Sequence, residues 1–178
     1  MPGAHTSVPR WEATPPAVDT DGKSFAVLSF GREGRETAER WISGIGDISD
    51  VGDIGTAGPC WARHAERADE ELLAALREQL RTALVGWRLM LAGPEAEVLP
   101  ARSEALMHGA VPAEIRVHVT SARRKRVHCP HCQQVTATDR AVDESVRCGG
   151  CGRELAIYHH VSRRTGTYLG FMADAEAI

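Results

Sequence analysis

Hydrophobic and polar positions change period several times along this chain, and each change marks an element. Residues 24–30, SFAVLSF, form a short apolar run of strand length. The following GREGRETAERWIS places Ala38, Trp41 and Ile42 at helical spacing, so strand, turn and helix are expected in that order. Residues 44–59 are dense in Gly and Asp with isolated Ile and Val, and read as a loop with a short strand around Ile48–Val51. From Asp69 the pattern sharpens. Leu72, Leu73, Leu76, Leu80 and Leu84 share one helical face, with acids in the first turn and arginines later, as the helix dipole prefers. Gly86 closes that helix. WRLMLAG, residues 87–93, is then nearly continuously apolar, the signature of a strand buried on both faces. Pro94 is expected at the first position of a further helix, Pro100 to break or restart it, and Gly109 to end it. In AEIRVHVTS, Ile115, Val117 and Val119 alternate with Arg116, His118 and Thr120, which predicts a strand with one wet face.

Strand and helix alternate up to residue 120, so the expected body is an α/β layer with a small, mainly parallel sheet of three or four strands. Residues 1–22 are rich in Pro, Thr and Ala without periodicity and read as a flexible N-terminal arm. The expected organisation is therefore arm 1–22, α/β domain 23–122, and a C-terminal module with tail over 123–178.

That last module carries the chemistry. Cys129 and Cys132 form one C-x-x-C pair, Cys148 and Cys151 a second, with fifteen residues between Cys132 and Cys148. Two such knuckles can bring four thiolates to one metal ion, and the separation fits a ribbon whose hairpin joins them. Gly149, Gly150 and Gly152 supply the permissive backbone a knuckle needs. Zinc is the first expectation for Cys129, Cys132, Cys148 and Cys151. A lone iron, as in rubredoxins, is the alternative, although few aromatics besides Tyr158, Tyr168 and Phe171 stand near to pack the cage. Four thiolates on zinc leave a negative site, and Arg123, Arg124, Lys125, Arg126, Arg147 and Arg153 surround it in sequence as charge compensation. The sharper reading of those cations is phosphate contact by a nucleic-acid ribbon. His128 and His131 flank ligands but face solvent, because the thiolates already fill the shell. Beyond the second knuckle, ELAIYHHVSRRTGTYLGF reads as two strands with a turn at RRTG. Its polar group His159, His160, Ser162, Arg163 and Arg164 is either a solvated hairpin or a face for a partner or cofactor. Cys60, outside the pairs, is expected to be half-buried and inert.

Composition narrows the setting. The chain has 178 residues, a formal charge of −3 and 43% hydrophobic residues. No apolar run approaches the ~18–20 residues of a membrane span, and the N-terminus lacks the basic and apolar regions of a secretory signal. A cytoplasmic protein without a membrane is expected. The negative balance argues against a global field drawing the chain onto nucleic acid. No nucleophile stands beside a base in any recognisable pattern, so no catalytic residue is assigned, and His108 and His118 read as surface residues. FGREG at 30–34 follows a strand but lacks the full Gly-rich phosphate-binding pattern.

The stretch CPHC…CGGCGRELAIYHHVSRRTGTYLGFMADAE resembles the C-terminal part of the small A-type subunit of bacterial dimethylamine monooxygenase, and the resemblance extends back through WRLMLAGPEAEVLPARSEALMHGAVPAEIRVHV. It implies an accessory or structural subunit of a haem-dependent complex converting dimethylamine, O2 and NADPH to methylamine and formaldehyde. Haem, flavin and [2Fe-2S] would then sit in partner subunits, a haem-binding one and a flavin/iron-sulfur reductase, docked through the zinc ribbon. The middle segment also resembles the last strand–helix–strand of ferredoxin-reductase nucleotide domains. There the turn is Cys-Gly-Pro, whereas this chain has Ala92, Gly93 and Pro94, a departure that argues against hydride chemistry.

Overall fold

The computed structural model describes residues 6–51 and 60–173. The first half alternates as expected: β1 (Ser24–Phe30), α1 (Gly31–Val51), β2 (Cys60–Ala65), α2 (Glu70–Arg81), β3 (Trp87–Pro94), α3 (Glu95–Met107) and β4 (Ile115–Ser121). The four strands form a parallel sheet in the order β2-β1-β3-β4. β1 and β3 are central, which is why their sequences are almost wholly apolar. Alternate residues serve opposite faces. Phe25, Val27, Met90 and Ala92 pack under Ala38, Trp41 and Ile45 of α1. Ala26, Leu28, Phe30, Leu89 and Leu91 pack with Leu72 and Leu76 of α2 and with Val98, Ala101 and Ala105 of α3.

The second half is a five-stranded sheet built from β5 (Lys125–His128), β6 (Val135–Thr138), β7 (Ser145–Arg147), β8 (Glu154–Ser162) and β9 (Thr167–Met172), in the order β6-β5-β9-β8-β7. The β8–β9 hairpin turns at residues 163–166, the RRTG of the sequence, with Gly166 at φ +60°. The two sheets meet across α3. Leu99 of that helix joins Val127, Leu155, Ile157, Val161 and Tyr168 in the core of the second sheet, while its opposite side faces the first. A helix covered on both sides need not be amphipathic, and its buried set runs through Glu95, Ala96, Val98, Leu99, Pro100, Ala101, Ser103 and Ala105.

Several expectations change. Ile48–Val51 is the last part of α1 rather than a strand, and the rest of the expected loop, 52–59, lies outside the described residues. Ile42 is 38% exposed, and Ile45 takes the inner position one turn on. Leu84 is 81% exposed because α2 ends at Arg81, three residues before it. β2 carried no alternation strong enough to read, since it is an edge strand whose residues are exposed or half-buried; Cys60 opens it and is exposed, not half-buried. Pro94 is the residue before α3, not its first, with φ −59° and ψ 143°. Pro100 does not break the helix. Packing holds it from both sides, and the hairpin turn lies directly on it: a Cβ at Gly166 would stand 2.5 Å from the Leu99 carbonyl oxygen and 2.8 Å from Pro100 N.

Residues 6–23, ahead of β1, contain no helix or strand, as their composition suggests, yet side-chain bonds fasten them to the body as a strap. Thr6 Oγ1 donates to the His159 carbonyl at 2.8 Å, and Ser7 Oγ donates to the Val161 carbonyl and accepts from its amide. Farther along, the Trp41 indole donates to the Pro16 carbonyl at 2.8 Å. Asp19 bridges Arg88 of β3 at 2.7 Å and Arg116 of β4 at 3.5 Å.

Candidate metal centre

Each knuckle is built by the same backbone bonds. The Cys129 amide donates to the Gln134 carbonyl and the Gln133 amide to the Cys129 carbonyl, both at 2.9 Å. In the second, the Cys148 amide donates to Arg153 O at 2.8 Å and the Gly152 amide to Cys148 O at 3.0 Å. The residue four places after the leading cysteine must turn left-handed: Gly152 does so at φ +73°, and Gln133 does so at φ +64° despite its side chain. Gly150 meets a different constraint. A Cβ there would be 2.6 Å from Gln134 Cγ and 3.1 Å from Cys132 Sγ, so the knuckles close on each other only over glycine.

The four Sγ atoms lie within 4.8 Å of one another. Cys129 Sγ is 3.7 Å from Cys151 Sγ, and Cys132 Sγ is 3.6 Å from Cys148 Sγ. Disulfide sulfurs bond at about 2.05 Å. Sulfurs arranged tetrahedrally at about 2.3 Å from zinc stand about 3.8 Å apart, so this group has the dimensions of a metal cage. Cys129 and Cys148 are buried, while Cys132 and Cys151 are partly open. The Gly150 amide points at Cys148 Sγ from 3.4 Å. Backbone donors at Cys151 and Gly150 hold the Cys148 thiol down to about 6. At Cys132 the amide of Gln134 acts in the same direction, but burial and hydrogen bonds with the other three thiols outweigh it and push the thiol up to about 11. Binding a metal here requires the thiols to give up their protons.

The remaining expected residues fall into place around this cage. His128 and His131 are outside the sulfur group. Arg147 Nε donates to Gly152 O at 3.3 Å, bracing the second knuckle, and Arg123 pairs with Asp139 at 3.4 Å. Arg126 Nε is buried without a hydrogen-bond partner. The rings of Tyr158, His159 and His160 contact one another with centroids 4.2–5.0 Å apart, beside the strap. Arg163 and Arg164 are exposed at the hairpin turn. His108 is a surface residue at the end of α3, bonded to Glu104 O. His118 is instead half-buried, and its Nδ1 has no partner. Burial, then Arg40, depresses its pKa.

Sequence reasoning did not single out Glu95. Its carboxylate is 1% exposed and accepts from the Trp11 indole at 2.7 Å and the Tyr168 hydroxyl at 3.0 Å. The sequence offered little signal, because Glu97 and Glu104 lie in the same helix and are only half-buried. The Ser29 and His64 side chains, 3.0 Å apart on β1 and β2, were also missed, because nothing in the sequence showed that β2 was a strand. At the carboxyl ends of β1 and β3 the start of α1 and the end of β3 come close: a Cβ at Gly34 would lie 2.6 Å from Ala92 O, and one at Gly93 would lie 2.7 Å from Phe30 O.

With this geometry in place, the likeness to known proteins bears on the same residues. Residues 126–171 match the family model "Dimethylamine monooxygenase subunit DmmA-like, C-terminal domain". That span contains both knuckles and the β8–β9 hairpin. A curated relative, the heme-dependent oxidative N-demethylase delta subunit of Ectopseudomonas mendocina, is 35% identical over 106 residues. The match takes in 60% of this chain and 59% of the relative's length. Among solved structures, phthalate dioxygenase reductase overlaps 74% of this chain and 49% of its own, with TM-score 0.38 and 14% identity, an overlap too loose to carry an argument. Among the described residues, no helix is long and apolar enough to cross a membrane.

Proposed function

We propose that this chain is an accessory, structural subunit of a haem-dependent dimethylamine monooxygenase complex, with zinc held by Cys129, Cys132, Cys148 and Cys151. The observation that carries the reading is a coincidence in residues 126–171: the family match and the assembled four-sulfur group occupy the same stretch. The delta-subunit name of the relative supports a place among several subunits.

Four thiolates form a closed shell with no position for water or substrate, so a zinc ion there contributes folding energy rather than catalysis. This chain's residues would then shape a docking module. The haem, flavin and [2Fe-2S] groups, and with them the oxidation of dimethylamine by O2 and NADPH, belong in this reading to partner subunits.

The sulfur spacing suits a single iron equally well, which makes a rubredoxin-like electron relay the second reading. Metal analysis of the purified chain separates them: one equivalent of zinc in colourless protein supports the structural subunit, and one of iron with thiolate-to-iron absorption supports the relay. The functional test is dimethylamine-dependent NADPH oxidation by the haem and reductase subunits with this chain present or omitted. Equal turnover and equal co-purification without it would overturn the subunit reading.

A further inference from the structure

A cavity of about 180 Å³ lies where the strap, α3 and the β8–β9 hairpin meet, away from the cysteines. Its polar lining is Arg102, Arg163, Ser7, Ser103 and Ser162, and no acidic residue lines it. The serines are held in place. Ser103 Oγ donates to Arg163 O at 2.7 Å, Ser7 Oγ is bonded to both backbone groups of Val161, and Ser162 Oγ accepts from the Thr165 amide. The arginines are not: among the described residues, neither guanidinium has a hydrogen-bond or carboxylate partner. Arg102 is nonetheless half-buried. By contrast, Arg88 is paired with Asp19 and Arg77 with Glu104.

We propose that this cavity is an oxyanion site that takes a phosphate group through Arg102 and Arg163. Guanidinium forks match phosphate oxygens two at a time, and they bind best where the protein leaves their donors unspent. Burying one cation beside another without an anion costs stability, and burial together with Arg163 lowers the pKa of Arg102. A bound dianion would remove both costs. The volume falls below the ~300–1,000 Å³ typical of sites for whole small molecules, so the pocket fits one oxyanion group, free or at the end of a phosphorylated compound. This inference is independent of the metal and of the complex.

The test is calorimetric titration of the full chain with inorganic phosphate, glycerol 3-phosphate and acetate in a chloride buffer, repeated with R102Q and R163Q. Saturable phosphate binding that weakens by about tenfold or more in each variant is expected, since hydrogen bonds to charged groups are lost. Thermal melting without phosphate gives a second readout: R102Q should melt at or above the wild-type temperature, because a repulsion is removed. Phosphate also raises melting temperatures non-specifically, and the variants measure that part. Absence of saturable heat, or phosphate-induced shifts of equal size in wild type and R163Q, would overturn the site, and acetate binding as tightly as phosphate would overturn the phosphate assignment. If the site stands, tighter glycerol 3-phosphate assigns it to a phosphorylated compound, and equal affinities assign it to the free ion.

Discussion

The Tyr168 hydroxyl donates to Glu95 Oε2 at 3.0 Å, a bond that ties the last strand of the ribbon to the first residue of α3. Both residues are at most 2% exposed. Trp11 donates to the other carboxylate oxygen, so strap, helix and ribbon share one acceptor. Burial, and then the nearby Glu95 charge, raises the Tyr168 pKa and keeps the phenol a donor.

Tyr168→Phe keeps the ring and removes that donor. A buried carboxylate then depends on Trp11 alone, and the loss should be about 1–3 kcal/mol in denaturant unfolding. Hydrogen exchange over 154–172 should rise more than exchange over β1 and β3. A uniform rise across both sheets would show that the bond does not act at the boundary between the modules.

Cys148→Ser, or treatment with a strong chelator, should remove the metal and loosen the ribbon, whose own core is small. Metal content should fall by one equivalent while the β1–β4 sheet stays folded by circular dichroism. Unchanged metal stoichiometry in the variant would end the four-thiolate account.

Asp19 predicts a pH dependence. The side-chain hydrogen bond from Arg88 is the largest influence lowering its pKa, with Arg116 adding to it. A carboxyl with a depressed folded pKa contributes stability above its unfolded pKa of 3.8 and loses it as pH falls through the folded value. Asp19→Asn should therefore be about 1–3 kcal/mol less stable near pH 7. The difference should close below pH ~4. A gap that stayed constant to pH 2 would mean that lost packing, not charge, explains the variant.

Gly166→Ala tests the contact of the hairpin turn with α3. The added methyl would press on the Leu99 carbonyl from 2.5 Å at a residue with φ +60°. Overpacking of that kind costs about 1–3 kcal/mol. The expected lesion is local, read as faster exchange at 163–167 and around Pro100.

Much of the fold was legible where one physical signal dominated. The apolar runs of β1 and β3, the leucine stripe of α2 and the paired cysteine spacing each follow from a single periodicity or ligand count. Those that escaped depend on contacts between distant segments. Pro100 is tolerated because two sheets grip the helix that holds it, and no local rule contains that information. β2 is an edge strand with weak alternation. The strap looked disordered by composition because its bonds, from Thr6, Ser7 and Trp11, are with residues that lie far along the chain. The spacing at Cys129, Cys132, Cys148 and Cys151 revealed the candidate centre, but not the matched turns at Gln133 and Gly152 that build it. Glu95 stayed hidden because acids are ordinarily exposed, and only tertiary structure supplies its two donors.

The strap also sets an order of events. Thr6 and Ser7 bond to residues more than 150 positions later, and such distant pairings form slowly because the intervening chain must be closed first. Synthesis proceeds from the amino end, so this segment emerges early and waits while both sheets are completed. Residues 6–11 are therefore expected to close over the finished junction last. In the reverse direction they should be the first to detach, which makes this stretch a sensitive reporter of whether the ribbon behind it is intact.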